Sequence, residues 1–166
     1  MALTLEWRHR LEVWRAELPR HFYRPLGEVV FEGFVTHEQL TLREAMGGTF
    51  APMPPGTTWG SKWEYGWFRG ALALPEEAAG GRIALAIDFG AESIIFVDGN
   101  AAGARDGQHK EITLARQGIP GTRYEIVVES YAGHGPRVAH GGPTPPYRET
   151  VPEPGPTQAT VGVSTF

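Results

Sequence analysis

The side chains best suited to chemistry in this 166-residue chain crowd into one segment, Trp59-Gly60-Ser61-Lys62-Trp63-Glu64-Tyr65-Gly66-Trp67-Phe68-Arg69. Three of the five tryptophans fall within nine residues. Indole rings stack on the apolar faces of sugars while their N–H groups bond hydroxyls, so such a cluster can line a groove for a flat, hydroxylated ligand. The same rings can instead clamp a loop onto a sheet. Trp59, Trp63 and Trp67 recur every four residues, but Gly60 and Gly66 argue against a helix, which makes the clamp the plainer reading. Arg69 offers a planar fork for a carboxylate, within the chain or across a domain boundary.

A second polar set follows. Gly103 to Ile112 is a polar connection in which Asp106 and His109 suit a local hydrogen-bonded turn. Glu92 stands after Asp88-Phe89-Gly90 at a strand end and, like Glu64, could accept sugar hydroxyls or sit in a solvated turn. Tyr131-Ala132-Gly133-His134-Gly135 leaves a strand through small residues and puts Tyr131 and His134 near a sheet rim, where sandwich domains place binding residues. None of these makes a catalytic set. Glycoside hydrolysis needs two carboxyl groups about 5–9.5 Å apart, and 16 glutamates with three aspartates single out no pair. His134 and His140 stand six apart in a Gly- and Pro-rich arm with His109 upstream; a zinc site from these three would need folding to supply all its geometry, and loop histidines bonded to backbone are the plainer reading. Dinucleotide, phosphate-loop, zinc-protease and nucleophile-elbow motifs are absent. No catalytic residue and no metal site is therefore assigned.

Composition narrows the class. The formal charge is −4, from 19 acidic and 15 basic side chains interspersed along the chain, so the basic surface that nucleic acid requires is missing. No apolar run approaches a membrane span, and the start lacks the order of a secretory signal. Without cysteine there is no disulfide framework, thiolate zinc site or cysteine nucleophile, which fits a reducing compartment.

The elements that must position these groups read mostly as strands. Residues 4 to 18 form the exception, a helix whose Trp7, Leu11, Trp14 and Leu18 share a stripe, ended by Pro19. That stripe should be covered, most simply by packing on its own domain. Residues 28 to 46 carry mixed signals: Val29 to Phe31 and Phe34-Val35 favour a strand, while Thr36 with Gln39 mimics a capping box before a short helix at Leu40 to Met46. We read this stretch as extended. Phe68–Leu74, Arg82–Phe89, Ser93–Val97, Lys110–Leu114 and Arg123–Tyr131 read as strands. In the second of these Ile83, Leu85, Ile87 and Phe89 share a face, and Tyr124, Ile126 and Val128 do so in the last. With 22 glycines, 14 prolines and no intervening helices, antiparallel strands in two packed sheets are expected. Past Tyr131 a Gly- and Pro-rich arm leads to a strand-like Ala159–Phe166. Ending on so β-prone a segment suggests a piece cut from a longer protein. Were that segment left unpaired, self-association would follow.

The order of motifs resembles the amino-terminal region of glycoside hydrolase family 38 α-mannosidases, in their cytosolic and bacterial branch. The matching pieces are Pro55-Gly56-Thr57-Thr58-Trp59-Gly60, Trp67-Phe68-Arg69, Glu92 to Gly99, Gly103 to Leu114 with Asp106, His109 and Glu111, and Tyr124 to Gly135. The resemblance implies an all-β, jelly-roll sandwich like galactose-binding domains over residues 28–166, behind a helical extension at 1–27. It also implies a non-catalytic domain whose parent removes terminal α-mannosyl residues in the cytoplasm. Zinc and its ligands would belong to a later catalytic domain of the same chain. The expected partners are that domain, a second copy in a homo-oligomer, and mannose-containing oligosaccharides for the whole enzyme, without nucleic acid or membrane. Two other readings stay open: a carbohydrate-binding module using Trp59, Trp63 and Trp67, and a protein-interaction sandwich with no glycosidase parent.

Overall fold

The computed structural model describes residues 4–133 and 159–166. Helix α1 (Leu5–Glu17) is capped by Thr4, whose hydroxyl accepts the Trp7 N–H, and runs into a 3-10 turn at Leu18–His21. Among the described residues ten strands follow: β1 (Phe31–Thr36), β2 (Ala51–Pro52), β3 (Thr58–Trp59), β4 (Tyr65–Ala73), β5 (Ile83–Ala86), β6 (Glu92–Val97), β7 (Asn100–Arg105), β8 (Glu111–Ala115), β9 (Arg123–Tyr131) and β10 (Ala159–Thr160). One layer is a six-stranded sheet in the order β2-β1-β4-β9-β6-β7, with every pairing antiparallel.

The second layer is built around the carboxy-terminal segment. β10 pairs with β3, and the chain beyond it exchanges backbone hydrogen bonds with Gly27 and Val29 on one side and with Ala86 and Asp88 on the other. β5 then pairs with β8. Residues 159–166 thus lie inside the layer and present no unpaired edge, so the condition attached to self-association is not met.

Strand alternation fills the space between the layers. Phe31, Phe68, Leu72, Ile95, Ile126 and Val128 point inward from the large sheet. They meet Ile83, Leu85, Ile87, Phe89, Ile112 and Val161 from the opposite layer. Phe68 stacks on Phe89 with ring centroids 3.9 Å apart, and Phe31 meets Phe89 edge-on at 5.0 Å. Each such fully buried large side chain contributes roughly 1.5–3 kcal/mol. A buried polar pair in this interior is satisfied: Ser93 and Ser130, opposite each other on β6 and β9, share a 2.7 Å hydrogen bond.

Three sequence expectations change. Residues 28 to 46 are not extended throughout. β1 is followed by a one-turn helix, α2 (Leu42–Ala45), whose capping box is Thr41 with Glu44 rather than Thr36 with Gln39. Thr36 instead accepts the Glu38 N–H in a local turn. Second, residues 100 to 105 form β7 rather than a connection. The turn Asp98-Gly99 has both φ angles positive (48° and 78°), the geometry that folds a two-residue hairpin. Small residues hide the strand, yet they have a role: a Cβ on Gly103 would sit 2.7 Å from Ile112 of β8. Third, α1 does not pack on the domain, since none of its residues is buried. Trp7 remains 55 % exposed and Trp14 67 %. Part of each outer sheet face is covered by other segments. Leu40, Leu42, Ala45 and Phe50 lie over Trp67 and Val127 on the outer side of the large sheet. Tyr23, whose hydroxyl donates to Glu111, straps the other layer.

Candidate functional site

Antiparallel pairing decides which residues meet. Thr36 at the end of β1 faces Tyr65 at the start of β4, Tyr65 faces Tyr131 at the end of β9, and Tyr131 faces Glu92 at the start of β6. Next comes Ser93 opposite Arg105 at the end of β7. Five chain segments therefore end at one rim. A groove of about 490 Å³ opens there on the outer side of the large sheet.

The groove floor follows from side-chain alternation. On β9 Ile126, Val128 and Ser130 face the core, so Glu129 and Tyr131 face outward. Tyr65 and Ile94 join them from the flanking strands, with Gln39 on one side and Asp106 on the other. The Tyr65 and Tyr131 rings lie side by side, centroids 5.2 Å apart and planes 33° from parallel. Burial, then the neighbouring Tyr65, pushes the Tyr131 phenol up from its ordinary value. Burial alone raises the Glu129 carboxyl, which makes no hydrogen bond or ion pair among the described residues.

The wall at Asp106 is rigidly organised. Its Oδ1 accepts the His109 N–H at 2.6 Å and the Gln108 N–H at 2.7 Å, while the His109 ring lies 3.1 Å from both oxygens. The backbone N–H of His109, then its ring, then the Gln108 N–H hold the Asp106 carboxyl down at about 2. Because the folded value lies below the ordinary one, this bonding supports the loop at neutral pH. That support is lost as pH falls through about 2.

Glu92, Asp106 and Tyr131 thus line one groove, with His109 bonded to Asp106 beside it. The tryptophans divide. Trp59 is buried, donates its indole N–H to the Phe89 carbonyl at 2.9 Å and meets Phe68 edge-on at 5.1 Å. Trp67 is fully buried beneath α2, stacked on Phe96. Neither can face a ligand, so the expectation that they line a groove gives way to packing. Trp63 is half-buried in the rim loop with φ at +66°, and its backbone N–H donates to the Gly133 carbonyl. Arg69 lies apart, in a groove of about 550 Å³ lined also by Met46 and Pro52. Its fork is engaged, with Nε 3.0 Å from Glu32 and the guanidinium 4.1 Å from the Phe50 ring centroid. His134 lies outside the described residues.

Sequence reasoning did not nominate Tyr65, Glu129 or Ile94. The period-two alternation of β4, β6 and β9 held the signal, once Trp67, Phe96 and Val127 were known to face outward.

Among the described residues no three His, Asp or Glu side chains converge as a metal-ligand set. Nor does any described helix have the length and apolar character to cross a membrane. A search of curated proteins returns no match to the chain. Among protein families, a model described as "alpha-mannosidase, jelly roll domain" matches residues 28–150. That span contains the core sheet and the whole rim. Fold and family model agree, and the chain belongs to the alpha-mannosidase jelly-roll domain family.

Proposed function

We propose that this chain is the non-catalytic front module of a cytoplasmic enzyme that hydrolyses terminal α-D-mannosyl residues, and that it works by docking on the catalytic domain of the same protein. The observation that supports docking is the uncovered stripe of α1. Trp7, Leu11 and Trp14 stand 55 %, 49 % and 67 % exposed, and no residue of the helix is buried. Exposed tryptophans on one helical face are the side chains most often found at the energetic centre of an interface. Catalysis, with its zinc, belongs in this reading to the later domain, and the absence of cysteine suits the cytoplasm.

The test uses the full-length enzyme encoded by the continuing reading frame. Trp7→Asp with Trp14→Asp should weaken domain docking by about 2–4 kcal/mol. Mannosidase activity should then be lost at a lower temperature, while the melting of the 166-residue chain alone stays unchanged. Unaltered heat inactivation of the double variant, or a reading frame without a catalytic domain, would overturn the proposal.

A further inference from the structure

We infer that the rim groove floored by Tyr65, Tyr131, Ile94 and Glu129 is a binding site for one neutral hexopyranose unit of a glycan, and that in the parent enzyme this unit is a mannosyl residue. Mannose as the sugar rests on the proposed function; the pyranose class rests on the groove alone.

Size comes first. The groove's volume of about 490 Å³ lies within the roughly 300–1,000 Å³ of small-ligand sites. Its floor offers what a pyranose ring requires. Two tyrosine rings with centroids 5.2 Å apart present an aromatic surface for the apolar C–H face of a sugar. Ile94 extends that surface and stands 45 % exposed in the middle of a polar rim.

Three carboxylates around this surface can accept hydroxyl protons, and the Tyr65 and Tyr131 phenols and the Gln39 amide can donate. Glu129 and Glu92 have no hydrogen-bond partner among the described residues, so their oxygens are available to sugar hydroxyls. For Glu129 the isolation is costly, because a half-buried carboxyl without a partner is poorly solvated. A ligand hydroxyl donated to it would relieve that cost. Asp106 adds a third acid at the opposite wall, fixed by its bonds to His109. Arg105 also lines the groove, but its guanidinium is engaged: Nη2 binds Asp88 at 2.7 Å and Nη1 binds the Ala91 carbonyl at 3.1 Å. Among the described residues the groove presents three acids against one arginine that is already engaged, a balance that disfavours phosphorylated or carboxylated sugars and favours an uncharged, hydroxyl-rich one.

The experiment is a titration of the 166-residue chain, without any catalytic domain, by α-1,2-mannobiose, maltose, tetramethylammonium and calcium, followed by amide NMR. Mannobiose should give saturable shifts confined to Tyr65, Ile94, Glu129, Tyr131 and the Asp106 loop. Tyr131→Ala should weaken the binding at least tenfold. Glu129→Gln, which keeps shape and fold, should weaken it severalfold, and Ile94→Arg, a surface change that fills the groove, should abolish it. Shifts with tetramethylammonium or calcium but not with either sugar would overturn the inference in favour of a cation site. Sugar binding that survives all three variants, or no sugar binding at all, would overturn it outright. Binding of maltose in place of mannobiose would uphold the pyranose site and overturn the mannosyl assignment. Since the docking test reads a different surface in a different protein, failure here leaves that reading standing.

Discussion

At the scale of single residues, Trp59 and Trp67 show how one residue type at one spacing acquires two environments. Both are buried, yet only Trp59 has a partner for its indole N–H, the Phe89 carbonyl. The Trp67 Nε1 is buried with no hydrogen-bond partner among the described residues. Replacing each by Phe removes similar volume, so the hydrogen bond should dominate the difference. Trp59→Phe should cost about 1–2 kcal/mol more than Trp67→Phe, because it leaves a buried carbonyl unpaired while the other change removes an unpaired donor. Chemical denaturation of both variants checks this; equal costs would show that packing, not hydrogen bonding, holds the cluster. Gly66 belongs to the same arrangement. A Cβ there would come within 2.7 Å of both the Trp59 and Phe68 rings, so only glycine lets the two aromatics close over the strand.

At the scale of elements, α2 is four residues long and far too short to be stable by itself. Two things hold it: the Thr41–Glu44 capping box, and the packing of Leu42 and Ala45 on the outer sheet face over Trp67. Glu44 is held below the usual carboxylate value first by the Thr41 hydroxyl and then by the Thr41 N–H. The box is therefore intact above the ordinary carboxylate range and weakens as pH falls below it. Thr41→Val should cost about 0.5–2 kcal/mol and raise hydrogen exchange at the Glu44 and Ala45 amides. Unchanged exchange would mean that packing alone fixes the turn. Competing signals obscured α2 in the sequence, since Leu40 and Leu42 alternate with polar residues as in a strand. β7 was obscured for the opposite reason. Ala101, Ala102, Gly103 and Ala104 have little strand propensity, and their pairing is imposed by the Asp98-Gly99 turn and by close approach to β8.

At the scale of the molecule, the second layer depends on residues 159–166. Ala159, Val161 and Ser164 are buried, and backbone bonds run from this segment to both its neighbours. A chain ending at residue 158 would open the core beside Phe89 and leave β3 and β5 without the strand between them. Such a chain should lose cooperative thermal melting and bind a hydrophobic dye, as monitored by near-ultraviolet circular dichroism and dye fluorescence. A sharp transition at the original temperature would show that the large sheet folds without this support.

Alternation of apolar residues and the richness in turn-formers determined, without any coordinates, that this chain is an antiparallel sandwich. Inward sets such as Ile83, Leu85, Ile87 and Phe89 admit no other burial. The order of the Trp-Phe-Arg, Val-Asp-Gly and Tyr-Ala-Gly segments likewise pointed to the mannosidase family. Tertiary structure alone decided which polar groups share a site. Tyr65, Glu92, Asp106 and Glu129 are brought to one groove by strand register, a property of pairings between distant segments. It decided equally that Trp59 and Trp67 are interior, because a tryptophan's local sequence specifies its bulk but not whether another layer will come down upon it.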